Sequence, residues 1–226
     1  SVLRLNGSGS SVSQLFGLTG SEPTLRNDTK ISGAGELGSG EMFLDNRGTI
    51  IADIDGETLF VEETDQPLFV EDENGQFVES PPFTNSGLLL AEDGGILHLR
   101  PTRLENQGLI LARAQGKVEA RGGRIEQGAE GVIRASSEGI VQLEGGVEIT
   151  GGSLASAVDG SMQITNTAGE GAGLTDLTIE GTLNALGGSK TFMTGTIRGD
   201  ADAGGGVVLH GQDVVTTLFA RGTVEL

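Results

Sequence analysis

Apolar and polar residues alternate along this chain in short runs, mostly four or five residues long, set apart by glycine, asparagine and aspartate. Period-2 alternation between turn-forming residues predicts half-buried strands rather than helices. The stretches NSGLLLAEDGGILHLR (85–100) and NQGLILARAQGKVEAR (106–121) repeat one pattern 21 residues apart. Aligned on Gly48, Gly87, Gly108, Gly131 and Gly152, the next residues read TIIAD, LLLAE, LILAR, VIRAS and SLASA. The second place is always aliphatic and the fourth always small. A second register follows Gly95, Gly116, Gly139 and Gly160 with ILHL, KVEA, IVQL and SMQI. A third short stretch recurs at Phe83, Leu104 and Ile125.

Three short strands per coil of about 21 residues predict an all-β fold, a right-handed parallel β-helix (β-solenoid), as one domain over 1–226. The hand follows the general rule for parallel crossovers. A helix would pay about 1 kcal/mol for every one of these glycines. One coil cannot bury its own faces, so stability comes from neighbours, which is why the sequence repeats. The phase is expected to slip near the end. Gly181-Thr-Leu-Asn-Ala fits the first register but lies 29 beyond Gly152, which predicts an extra loop over 166–174, and Gly195 follows too soon for a coil.

Composition narrows the function. The 226 residues hold 39 Gly, 32 acids against 14 bases, and no Cys, Trp or Tyr, for a net charge of −18. Such a chain lacks the cations that neutralise phosphates and the aromatic platforms that stack bases, so neither nucleic acid nor anionic lipid is expected as a partner. No apolar run approaches the roughly 18 residues of a membrane span. The start at Ser1 and the strand-like end GTVEL suggest a mature or excised piece of a longer protein.

The pattern breaks once, at 62–83, EETDQPLFVEDENGQFVESPPF, with seven acids and no base. LFVE and QFVE flank DENG, and Asn-Gly is a strong hairpin-turn signal. Residues 68–79 are therefore read as a β-hairpin leaving the wall, an inserted acidic arm with Leu68, Phe69, Phe77 and Val78 as its contact residues. Ca²⁺ is a minor possibility for these carboxylates, because no loop has proper ligand spacing; no other cofactor is expected.

Two features of the coils also bear on function. Outward places of the first strand hold Ile51, Leu88, Leu90, Leu109 and Leu111, an aliphatic patch to be covered by the chain itself or by another subunit. Asn46, Asn85 and Asn106 share one turn place, where stacked amides would satisfy turn backbone groups. His98, Glu119, Gln142 and Gln163 share an outward row, which suggests an ion pair of His98 with Glu119. Candidate catalytic acids, Asp53 with Asp55 or Asp200 with Asp202, have no aromatic-lined groove to serve. Arg198-Gly199-Asp200 is read as a chance tripeptide in a strand. No enzyme activity is expected.

The stretches LRNDTKISGAGELGSGEMFLDNRGTIIADIDGETLFV (25–61) and FTNSGLLLAEDGGILHL (83–99) resemble the long β-helical repeats of bacterial autotransporter passengers and filamentous-haemagglutinin-like adhesins. Phrases such as N-x-G-T-I-x-A and G-G-S-L recur in those proteins, and the likeness covers roughly 25–226. It implies an extracellular or cell-surface rod in adhesion or assembly, and it transfers no functional residue. The expectation is a structural protein that self-assembles head-to-tail or laterally into a filament or surface layer. The alternative is an adhesin segment that binds a host or matrix ligand through the arm.

Overall fold

A computed structural model describes residues 2–8, 13–17, 23–39, 42–62, 69–71, 76–79, 82–165, 170–199, 205–209 and 217–225, and at 39, 69–71 and 77–79 only the backbone. The described residues form a β-solenoid of parallel strands with no helix. Each coil contributes strands to three faces, and each strand pairs with its counterpart in the next coil.

Face 1 stacks Thr49, Leu88, Leu109, Val132, Ser153 and Thr178 in register. Face 2 stacks Leu59, Leu97, Val118, Val141, Met162 and Leu183. Face 3 stacks Phe83, Leu104, Ile125, Ile149, Leu174 and Met193. The inward row of face 1 is Ile31, Ile50, Leu89, Ile110, Ile133, Leu154 and Ile179. These inward side chains are all buried and form one continuous core. Each contributes about 1.5–3 kcal/mol by leaving water. Stacking like on like, about 4.8 Å apart, lets every aliphatic meet a shape match above and below.

The mean coil is longer than expected, about 23 residues. Leu88 to Leu109 and Val132 to Ser153 keep the 21-residue step, whereas Ser153 to Thr178 takes 25 and Thr49 to Leu88 takes 39. Extra residues enter between strands, so register survives them.

The phase near the end differs from the expectation. Thr182–Ala185 pairs with Ser161–Ile164 on face 2, so TLNA belongs to the second register and not the first. The first register continues at Thr178–Glu180. Within the span expected to be a loop, Ala172–Thr175 is a face 3 strand, while 166–169 lie outside the described residues. The cause is the longer step on face 3, 25 residues from Val147 to Ala172, which displaces everything after it. Gly195 starts no coil. It sits inside one continuous strand, Lys190–Gly199, at the corner where that strand leaves face 3 for face 1. Its φ of +71° is the left-handed backbone that a corner demands and that glycine supplies cheaply.

Candidate functional site

The corner from face 3 to face 1 carries a buried amide ladder. Asn27 Nδ2 donates to Asn46 Oδ1, Asn46 to Asn85 and Asn85 to Asn106, each at 2.7 Å. Asn106 donates to Gln127 Oε1 at 3.2 Å, and Gln127 Nε2 ends the chain on the carbonyls of Gly151 and Ser153. The three asparagines singled out in the sequence thus stand in one stack, with Asn27 and Gln127 as further members. Asn27 lies 19 before Asn46, and Gln127, an amide one methylene longer, lies 21 beyond Asn106. The sequence signal for both is the same interval pattern, relaxed to a 19-residue coil and to Gln in the place of Asn. Asn46 and Asn106 are wholly enclosed. Each amide there offers donor and acceptor along the stack, so burial leaves neither unpaired.

The outward rows of face 1 divide the aliphatic patch between the two expected kinds of cover. Ile51 and Leu90 are 6% and 2% exposed, yet neither belongs to the interior core cluster. The chain's own atoms close over them, so they are not available to a partner. Leu88, Leu109 and Leu111 are half-buried and remain on the surface. Further along the same row Arg134, Ala155 and Glu180 are in register. Arg134 reaches Glu180 at 3.6 Å across the small Ala155, which is 3% exposed beneath them.

The arm is present in backbone: Phe69–Glu71 and Phe77–Glu79 pair antiparallel as a two-stranded sheet separate from the wall. Phe69, Phe77 and Val78 lie on these strands. Leu68 and the turn Asn74-Gly75 fall outside the described residues.

On face 2, His98 and Glu119 are register partners, with His98 Nδ1 3.2 Å from Glu119 Oε2. The imidazole hydrogen bond, aided by Lys117 Nζ at 2.6 Å, outweighs burial and holds the Glu119 carboxyl down to about 2. Phe60 lies against His98 on the other side, ring centroids 5.2 Å apart. The row is a satisfied surface network, with its ionised acid locked in place rather than poised to exchange a proton. Asp53 is engaged through one oxygen only: its Oδ2 lies 3.3 Å from Arg4 and 3.9 Å from Lys30, while its buried Oδ1 has no hydrogen-bond partner among the described residues. Arg198 faces Glu225 at 3.9 Å, while Asp200, Asp202 and His210 lie outside the described residues. Among the described residues no group of three or more His, Asp or Glu could hold a metal ion.

The ends of the solenoid are the other candidate surface. Val2–Asn6 and Gln14–Phe16 pair only with Lys30–Ser39, and Gly206–Leu209 and Thr217–Glu225 each pair only inward, among the described residues. These edge strands carry exposed apolar side chains: Val2, Leu3 and Phe16 at one end, Val208, Leu209 and Phe219 at the other. No helix is long and apolar enough to cross a membrane among the described residues. No family model, curated protein or solved structure matches the chain.

Proposed function

We propose that this chain is a structural module of a secreted or cell-surface protein: a rigid β-helical rod that assembles with copies of itself, end to end, into a filament or surface layer. The observation that carries this reading is the pair of open edges. Among the described residues each edge strand pairs only inward, and Phe16 and Phe219 are both about half exposed. An unprotected parallel edge is a template for the next strand. A head-to-tail contact between unlike edges does not close, so it grows into a polymer rather than a ring.

Sedimentation and negative-stain electron microscopy over a range of concentrations test it. Wild-type protein is expected to lengthen into uniform filaments as concentration rises. A Val208→Lys/Phe219→Lys variant, which charges one edge, is expected to stay as single short rods. Single rods of wild-type protein at every concentration would overturn the reading.

A second reading is favoured by the arm, whose two-stranded sheet is separate from the wall. In it the rod displays the hairpin as an adhesive contact to a host or matrix ligand. Deleting residues 66–82 would then abolish ligand binding and leave filament formation intact.

A further inference from the structure

Face 3 has one interruption that the coil geometry does not require. The outward row there runs Arg124, Glu148, Gly173, Phe192 and Phe219, each in register with the next. Gly173 is the gap. Many of the glycines in the wall sit where a Cβ would collide with backbone of the neighbouring coil, as at Gly171, 1.8 Å from the Lys190 carbonyl. At Gly173 an added Cβ would meet Glu148 Cγ at 3.6 Å, an ordinary contact, and its φ is not left-handed. Glycine weakens a strand, so a glycine that neither sterics nor backbone demands points to the space it leaves.

That space is a recess of about 420 Å³, lined by Glu148, Glu170, Lys190, Phe192 and a floor of glycines. One wall is aromatic. Phe192 and Phe219 stack face to face, centroids 4.8 Å apart and planes 7° from parallel. One ring face of Phe192 is therefore covered by Phe219, and the other turns toward the missing side chain at Gly173. The opposite wall is Glu148, two strand spacings away, about 10 Å along the stack. Glu170 adds a second carboxylate over Gly146, where an added Cβ would lie 2.8 Å from Glu170 Oε2. Arg124 approaches Glu148 only to 3.6 Å, and the Glu148 side chain keeps 62% of its surface.

We propose that this recess is a binding site for a planar cation, an arginine side chain presented by a basic polypeptide partner. A flat guanidinium stacks on an aromatic face while its edge donates to a carboxylate in a bidentate fork. The gap between the Phe192 ring and Glu148 holds one such layer. The sign of the partner follows from the Glu148 and Glu170 carboxylates, and the net charge of −18 draws a basic polypeptide to the chain as a whole. Lys190 stands on the rim as a like charge that limits affinity. The site lies on the flank of the rod, one coil in from the edge strand that carries Phe219.

The test is fluorescence anisotropy of a labelled peptide, acetyl-Gly-Arg-Gly-Arg-Gly-amide, titrated with the whole chain. Its twin carries citrulline, which keeps the shape and removes the charge. The arginine peptide is expected to bind, and the citrulline twin to bind at least about tenfold more weakly. Phe192→Leu should weaken binding about fivefold and Glu148→Gln about tenfold, while Lys190→Gln strengthens it about twofold. Gly173→Val, which puts a branched side chain between Phe192 and Glu148 at a backbone that accepts one, should abolish binding while leaving the circular dichroism spectrum unchanged. Glu138→Gln, on a turn between faces 1 and 2, controls for overall charge and should change affinity less than about twofold. Equal binding of the citrulline twin, wild-type affinity in a folded Gly173→Val, or a Glu138→Gln effect as large as that of Glu148→Gln would each overturn the assignment.

Discussion

The same corner is built in two ways along this rod. From Asn27 to Gln127 a ladder of buried amides fills it, and backbone N–H groups just past each asparagine bond back to the preceding coil: Gln107 and Gly108 both donate to the Asn85 carbonyl. Past Gln127 the equivalent places are Gly151, Asp176 and Gly195, all with positive φ. There the bonds point forward instead, from Gly151 N–H to Thr175 and from Asp176 N–H to Thr194. The first half satisfies its corner with side chains, the second with unusual backbone. Both halves keep buried polar atoms without a hydrogen-bond partner among the described residues, Asp53 Oδ1 in the first and the Ser189 and Thr191 hydroxyls in the second. A stack of identical amides is self-completing, whereas each left-handed corner must be solved separately. The first half is therefore the better-determined part of the molecule.

Mutations should expose that difference. The largest effect is expected at Gly87, beside the ladder, where a Cβ would lie 2.1 Å from the Gly48 carbonyl oxygen. Gly87→Ala should cost about 4 kcal/mol or prevent folding, whereas Gly173→Ala in the second half should stay within about 0.5 kcal/mol of wild type by urea denaturation. Next comes Asn85→Ala, which strands the Asn46 donor and the Asn106 acceptor in a dry corner and should cost about 3 kcal/mol. Its counterpart Asp176→Ala loses one exposed bond, to Thr196 N–H at 2.7 Å, and should cost about 1 kcal/mol. Similar losses at the two positions would dissolve the contrast.

Smaller shifts sharpen it. Thr191→Val removes a buried hydroxyl that nothing satisfies and keeps its shape, so this variant should melt a few degrees higher. The same change at a satisfied polar position would not. On face 2 of the first half, Glu119 titrates at about 2, below the ordinary carboxylate range. Its stabilising contribution is complete above about pH 5, where the unfolded carboxyl is ionised, and is lost as pH falls through about 2. Screening by solvent limits it to about 1 kcal/mol. Denaturation midpoints at pH 5 and pH 2.5 should differ less in Glu119→Gln than in wild type by that amount.

Much of this architecture is legible in the sequence because a solenoid writes its contacts at fixed intervals. Ile50, Leu89, Ile110, Ile133 and Leu154 announce one inward row, and Asn46, Asn85 and Asn106 announce the corner they fill. What escapes is whatever depends on the number of residues between strands. The 25-residue step before Ala172 shifts the phase and hides the face 2 identity of Thr182–Ala185. Phe192 and Phe219 stack although they stand 27 residues apart, so a 21-residue search does not pair them. Alternation marks Ile51 and Leu90 as outward, but it cannot tell that the chain closes over them.

Thr49 pairs with Leu88, and Thr58 with Ile96, as faithfully as any strands in the rod, although the arm has been threaded between these coils. Lengthening a closed excursion costs only about 0.6 kcal/mol per doubling, because the entropy of loop closure grows logarithmically. The rod is thus a permissive host: its backbone keeps count by strands, not by residues. Cargo can be swapped between the face 2 strand Thr58–Glu62 and the face 3 strand Phe83–Asn85, by evolution or by an engineer, while the register on either side carries on unaltered.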